Sequence, residues 1–216
     1  MKRFFHIALA GLVLAGCAKE ISTGEPWNSN EGSPYSAIVT VKQGADGVIF
    51  LQLDEDTRLT PVNYGRPYSG MERIICELAN WGDGVCRIHW MDFLEKGSTV
   101  SGSPDADSEG LDVLNDWMTT VEDGFLTLHY STWWGDGSVR HSLSVVTGSN
   151  PENPYELWLH HSRNGDAALE KGDALIYFDI NSLPSTEGEY VTLTLKWQNG
   201  EGNISSRDFR FRTRLE

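Results

Sequence analysis

Val121-Glu122-Asp123-Gly124-Phe125-Leu126-Thr127-Leu128-His129-Tyr130-Ser131-Thr132-Trp133-Trp134-Gly135-Asp136-Gly137 is the stretch on which the fold of this chain turns. Leu126, Leu128 and Tyr130 alternate with Thr127, His129 and Ser131, the period of two expected of a strand with one buried face. The acid pair Glu122/Asp123 flanks one turn, and Gly135-Asp136-Gly137 supplies tight-turn backbone geometry at the other end. The run from Phe125 to Trp133 therefore reads as a half-buried strand. Trp133 and Trp134 are adjacent, so if both stay extended they point to opposite faces of the sheet, and at least one lies outside the core.

Outward from that strand the pattern repeats. Val113 to Val121, Val139 to Thr147, Tyr155 to His161, Ala174 to Ile180, Tyr190 to Trp197 and Arg207 to Arg214 read as further strands, with turn signals between them. No amphipathic helix separates them, so the natural closure is an antiparallel β-sandwich over residues 113–216. Lys96 to Gly110 is rich in Gly, Ser, Pro and acidic residues and marks a domain boundary, with an acidic linker expected over 101–112. Before it, Tyr35 to Gln43, Gly47 to Leu53, Arg58 to Val62, a hairpin of Ile74 to Ala79 with Val85 to Asp92, and a segment near Trp90 to Leu94 suit a small barrel over 35–100. The expected class is all-β.

The N-terminus decides location. Lys2 and Arg3 precede the apolar run Phe4 to Val13, and Leu14-Ala15-Gly16-Cys17 follows it, the layout of a bacterial lipoprotein signal peptide over residues 1–16. That run is shorter than the roughly 20 apolar residues a bilayer span requires. Cys17 would carry the lipid, and the membrane would be the first partner. Residues 17–34 then form a lipidated cysteine and a Gly/Ser/Asn/Pro-rich tether, whose Ser22 to Pro34 stretch reaches roughly 40 Å when extended. Ala18-Lys19-Glu20 lacks an inner-membrane-retaining aspartate beside the cysteine, which points to the outer membrane, on its periplasmic or extracellular face.

Cleavage leaves about 200 residues, enough for one large or two small domains. The formal charge of −14 grows more negative when Lys2 and Arg3 are lost, and such a surface repels phosphate backbones, which argues against nucleic-acid binding. Aromatics make up 11% of the chain, with eight Trp, too many for a disordered protein and suited to sheet cores or ligand platforms.

The chain resembles the NigD-like lipoproteins of Gram-negative anaerobes. The resemblance rests on Ala37-Ile38-Val39-Thr40-Val41-Lys42, on Leu53-Asp54-Glu55-Asp56-Thr57-Arg58-Leu59, on Asn115-Asp116-Trp117 leading into Val121 to Tyr130, and on His160-His161-Ser162-Arg163-Asn164-Gly165-Asp166. It implies an OB-type barrel followed by a β-sandwich, and a bacteriocin-associated accessory or immunity role. No catalytic residues come with it.

Four constellations are candidates for chemistry. Cys76 and Cys86 are the cysteines left after lipidation; they form a disulfide if the hairpin pairs around Trp81, or stay as buried thiols if the register shifts. Trp-Gly-Asp-Gly occurs at Trp81 to Gly84 and at Trp134 to Gly137. Because indoles are unusual in turns, Trp81, Trp133 and Trp134 are candidates for ligand or partner contact, or for packing between the domains. Asp105, Asp107, Glu109 and Asp116 nearly fit a calcium loop, with a solvated acidic linker as the alternative. His129 and His141 would face each other in a hairpin turning at Gly135, with His160 or His161 nearby, a weak zinc candidate. No metal or other cofactor is expected.

The search for catalysis finds no G-x-S-x-G elbow, phosphate-cradling loop or H-E-x-x-H motif. The expected function is a non-enzymatic envelope lipoprotein that binds an envelope protein or glycan. The alternatives are the bacteriocin-associated accessory role and, more weakly, a glycan hydrolase with facing carboxylates.

Overall fold

The computed structural model describes residues 32–104 and 107–214, apart from the side chain of Trp81. Cys17 and Asp105 therefore lie outside the described residues. Among the described residues all regular structure is strand.

Five strands close a barrel: β1 (Tyr35–Gln43), β2 (Ile49–Gln52), β3 (Arg58–Pro61), β4 (Glu72–Gly82) and β5 (Val85–Phe93), in the order β1-β2-β3-β5-β4. β3 runs parallel to β5 and all other pairings are antiparallel, the partly open Greek-key arrangement of an OB fold. Val39, Val41, Leu51, Leu59, Ile74, Cys76, Leu78 and Cys86 fill the interior. The β4–β5 hairpin turns at Asp83 (φ 50°) and Gly84 (φ 74°), the double positive φ of a type I′ turn.

The remaining strands are β6 (Glu95–Lys96), β7 (Ser98–Ser101), β8 (Asp112–Val113), β9 (Thr120–Glu122), β10 (Phe125–Trp134), β11 (Ser142–Thr147), β12 (Glu156–Ser162), β13 (Glu170–Asp179), β14 (Val191–Gln198) and β15 (Ile204–Phe211). They form two sheets. One runs β6-β13-β10-β8 with β9 also on β10, and the other runs β15-β14-β12-β11-β7. The sheets enclose a core of Leu126, Leu128, Tyr130, Leu157, Leu159, Phe178, Leu193, Leu195, Phe211 and their neighbours. The β9–β10 turn uses Asp123 (φ 52°) and Gly124 (φ 72°), again type I′.

Four expectations about organisation change. β6 and β7 pair in parallel with β13 and β11, so residues 95–101 belong to the sandwich rather than to the barrel drawn over 35–100. β12 and β14 are also parallel, so an otherwise antiparallel sandwich contains three parallel pairings. The acidic linker over 101–112 is structural at its C-terminal end: Glu109 N–H bonds His161 O, Leu111 N–H bonds Gln198 O, and Leu111 is buried. Low apolar content suggested solvent exposure there, but these backbone groups complete the sheet where β12 and β14 diverge. Finally, Val113 to Val121 is not one strand, because Asp116 accepts from the Met118 N–H and folds the chain into a turn.

The barrel docks against the outer face of the first sandwich sheet. Arg73 on β4 has no solvent exposure, and it donates to Thr40 Oγ1 (3.1 Å), Thr127 Oγ1 (3.3 Å) and Glu122 Oε2 (3.3 Å). The Phe125 ring lies 5.8 Å from the Arg73 guanidinium and 4.5 Å from that of Arg214. Lys42 reaches Asp123 at 2.6 Å, and Ile38, Ile75 and Met118 form a small apolar cluster with Leu94 and Leu175.

Candidate functional site

β10 carries its side chains alternately inward and outward, and its outward set changes character along the strand. Thr127 lies under Arg73 and is buried, whereas Trp133 is 46% exposed. Between them His129 is gripped from both sides: Nδ1 stands 2.5 Å from Asp116 Oδ2 and Nε2 stands 2.6 Å from Asp173 Oδ2. A carboxylate accepts and does not donate, so two protons are shared along this Asp–His–Asp line. Thr119 Oγ1 takes the His129 N–H, and Leu114 N–H bonds His129 O, so the loop carrying Asp116 is fastened to the same position. That loop exposes Trp117 (53%).

In register terms, Trp133 sits opposite Lys171, and Ser131 sits opposite both Asp173 and Asp112. Lys171 bonds Asp112 at 2.8 Å. The free end of the sheet face thus presents an indole, an exposed lysine–carboxylate pair and the rims of two carboxylates. The neighbouring Trp134 points the other way. It stacks on His141 with ring centroids 4.1 Å apart and 11° between planes. The opposed directions expected of the pair are realised, and Trp134 is a packing residue.

A second histidine line is buried at the sandwich edge. Asp166 Oδ2 lies 3.0 Å from His141 Nε2, His141 Nδ1 lies 3.2 Å from His161 Nε2, and His161 Nδ1 lies 3.1 Å from Glu109 O. The carbonyl only accepts, so His161 is protonated at Nδ1. His161 therefore accepts at Nε2 from the His141 Nδ1–H, and His141 turns its Nε2 toward Asp166 Oδ2. Burial pushes His161 down to about 4, with the neighbouring His141 adding to the effect. The Gly135 N–H, and then His141, hold the Asp166 carboxyl below its usual range. Gly135 has no room for a side chain: a Cβ would meet Asp166 Oδ1 at 2.0 Å.

These contacts rearrange the sequence candidates. β10 and β11 belong to different sheets, so 135–141 crosses between layers. His129 and His141 consequently do not face each other as a hairpin would require; His161 is the partner of His141. Glu109 is bound by the Arg163 backbone N–H, by Nε at 2.8 Å and by the guanidinium at 2.7 Å. Burial alone would raise its carboxyl, but these bonds outweigh that effect and hold it low. Asp116 is committed to His129, and Asp107 is exposed. Glu109 and Asp116 are thus engaged by different partners, and among the described residues no group of three or more His, Cys, Asp or Glu side chains is placed to hold a metal ion.

Cys76 and Cys86 are free, buried thiols. The β4–β5 register shifts between Glu77 and Leu78 and again between Asn80 and Gly82, which puts Cys76 opposite Met91 and Cys86 opposite Asn80. Because the hairpin turns at Asp83-Gly84 and not around Trp81, the two cysteines stand at different rungs of the ladder, and burial raises the thiols to about 12 and about 11. Sequence reasoning missed Trp117 as an exposed group and Asp173 as the second jaw on His129. Asp173 lies more than forty residues from His129 in the chain, and only strand pairing brings them together.

The model of the NigD-like C-terminal beta sandwich domain matches residues 99–211. No curated protein matches the chain. Among solved structures, a candidate toxin-related protein from Parabacteroides distasonis superposes with a TM-score of 0.70 at 22% identity, covering 84% of this chain and 94% of its own. A NigD-like immunity protein from Bacteroides caccae gives 0.59 at 20%, covering 82% and 96%. A candidate lipoprotein from Bacteroides fragilis gives 0.50 at 11%, covering 85% and 99%. The barrel-plus-sandwich architecture is common to them, and on the family match over its sandwich the chain belongs to the NigD-like proteins.

Proposed function

We propose that this chain is a non-catalytic envelope lipoprotein, anchored in the outer membrane through Cys17, that binds a partner through the free end of the β10–β13 face. The observation that carries this reading is Trp133: a large indole, 46% exposed, set on a regular strand beside Lys171, Asp112 and Asp173. Rigid aromatic anchors with polar groups around them are the usual energetic centre of a recognition surface. The three buried imidazoles are committed to carboxylates, to a carbonyl and to each other, which supports a binding rather than a catalytic role. The lipobox and the resemblance to a candidate lipoprotein support the anchor. The net charge of −14 disfavours nucleic acid even on an OB-type barrel.

The partner is an envelope protein or an envelope glycan. A bacteriocin-associated immunity role is the second reading, favoured by the similarity to a protein described as a NigD-like immunity protein. Pull-down from envelope extracts with the unlipidated chain tests the proposal. A partner retained by the native chain and lost with Trp133→Ala supports it, and identical retention by both removes Trp133 from the account. A deletion strain with unchanged bacteriocin sensitivity argues against the second reading.

A further inference from the structure

On the opposite sheet, β12 and β14 run parallel from Glu156/Thr194 to Leu159/Trp197 and then part. The chain at 108–111 enters the gap, through Glu109 N–H to His161 O and Leu111 N–H to Gln198 O. Above this junction lies a cavity of about 270 Å³ bounded by Pro104, Ser108, Trp158, His160, Gln198 and Ile204. Neither Trp133 nor any other residue of the β10–β13 face contributes to it.

Its walls are fixed. Ser108 Oγ accepts the His161 N–H at 3.1 Å, and Glu109, next in the chain, is clamped by Arg163. The Trp158 indole N–H donates to Glu156 Oε1 at 3.2 Å, and Lys196 Nζ stands 5.4 Å from the Trp158 ring centroid while bonding Glu156 at 2.9 Å. Asn150 holds the other oxygen of Glu156. The indole is thus held at its edge, and its orientation does not depend on a ligand.

We propose that this cavity binds a single neutral pyranose ring, free or as one unit of a glycan. Three features select that class. An indole and an exposed isoleucine (Ile204, 60%) offer apolar surface of the kind that the C–H face of a sugar covers. Ser108 Oγ takes the His161 N–H on one of its two lone pairs, a bond that does not consume its hydroxyl hydrogen, and the Gln198 carboxamide, whose Nε2 also reaches Gly202 O at 3.4 Å, has a second N–H to donate and an oxygen to accept, as ring hydroxyls require. Among the described residues beside the cavity Lys196 is paired with Glu156 and Arg163 with Glu109, which favours a neutral ligand over an ionised one. The volume falls just under the roughly 300 Å³ lower bound of drug-sized pockets, which suits one ring rather than several.

The test uses the unlipidated full chain, labelled with ¹⁵N and titrated separately with glucose, galactose, mannose, N-acetylglucosamine and, as a control, glycerol. At ordinary ligand efficiency a ring of about a dozen non-hydrogen atoms binds with Kd on the order of 1 mM. The expected result is saturable movement of the Trp158 indole N–H and the Gln198 side-chain amide with at least one sugar and not with glycerol. Trp158→Ala should weaken it about 10-fold or more, while Trp133→Ala leaves it unchanged. If Trp158→Ala fails to fold, Gln198→Ala makes the same comparison, since the Gln198 backbone carbonyl that holds Leu111 is retained. No saturation by any of the sugars below about 50 mM, the same response to glycerol, or a response that survives both variants overturns the proposal. The Trp133 surface is tested by separate variants, so either site can fail alone.

Discussion

Lowering the pH should destabilise this protein through one buried imidazole, His161. It is 1% exposed, with the Glu109 carbonyl and the Glu109–Arg163 pair on one side and His141, backed by Asp166, on the other. Burial lowers its pKa from 6.5 to about 4. The folded value lies below the unfolded one, so between those limits the unfolded chain holds the extra proton. Stability is then fully present above pH 6.5 and falls as pH drops toward about 4. At about 1.4 kcal/mol per pH unit, the difference amounts to roughly 3 kcal/mol, about three-quarters of it lost between about pH 6.5 and about pH 4 and the remainder in the shoulders on either side. That is a large share of the 5–15 kcal/mol typical of a folded domain.

Urea unfolding at several pH values measures it, with His161→Gln as the comparison. Glutamine is neutral at every pH, so the variant should be less stable than wild type near neutrality yet lose much less on acidification. The carboxylates held low by hydrogen bonds, Glu109, Asp112 and Asp166, also lose stabilisation in acid, but they do so at lower pH and in both proteins alike. Parallel curves for wild type and variant refute the assignment, as does an NMR titration of His161 in the folded protein with its midpoint near 6.5.

Arg73→Ala should cost about 3–5 kcal/mol by leaving Glu122 and two threonine hydroxyls without their buried partner, and Arg73→Met distinctly less; equal losses by chemical denaturation would dismiss the charge argument. Trp134→Ala, which removes a ring stacked on His141 and packed on the core, should cost about 3 kcal/mol, whereas Trp133→Ala stays within about 0.5 kcal/mol; thermal denaturation separates the two. Cys76 and Cys86 should be inert to a thiol reagent in the native protein and both react in denaturant, and a denatured chain without reactive thiols would contradict the free state. Gly135→Ala should lose about 1–3 kcal/mol, because the new methyl displaces the carboxylate that Gly135 and His141 share; a stability equal to wild type would show that the loop relaxes freely.

The all-β class was legible in the sequence because hydrophobic alternation and Asp-Gly turns are local properties. Asp83-Gly84 and Asp123-Gly124 adopt the backbone their composition demands, and β1 begins and ends where the pattern says. What failed depended on distance. Gly135-Asp136-Gly137 looks like a hairpin turn as much as Asp83-Gly84 does, yet it carries the chain from one sheet to the other, because Trp134 and His141 stack across the layers rather than pair across a ladder. The thiols miss each other because the turn forms at Asp83-Gly84, two residues beyond the Trp81 centre that a Cys76–Cys86 pairing requires. At 108–111 composition misled outright: the backbone N–H groups of Glu109 and Leu111 fill the gap where β12 and β14 part, and Leu111 is buried.

β10 explains why the two domains and the recognition surface can coexist on one sheet. Its outward side chains pass from Thr127, under the barrel's Arg73, through His129, held by two carboxylates, to Trp133 in solvent. Six residues of strand separate Thr127 from Trp133, about 20 Å at the usual rise. Sites that far apart with no shared partner act nearly independently. Domain docking therefore consumes one end of the sheet without touching the other. The Asp116–His129–Asp173 line occupies the border, where it keeps the Trp117 loop fastened to the strand and prevents the open end from fraying. The barrel closes off the part of the sandwich that would otherwise expose Thr127, Leu175 and Met118, and it leaves Trp133 uncovered at the far end of the same face and Trp158 on the other sheet.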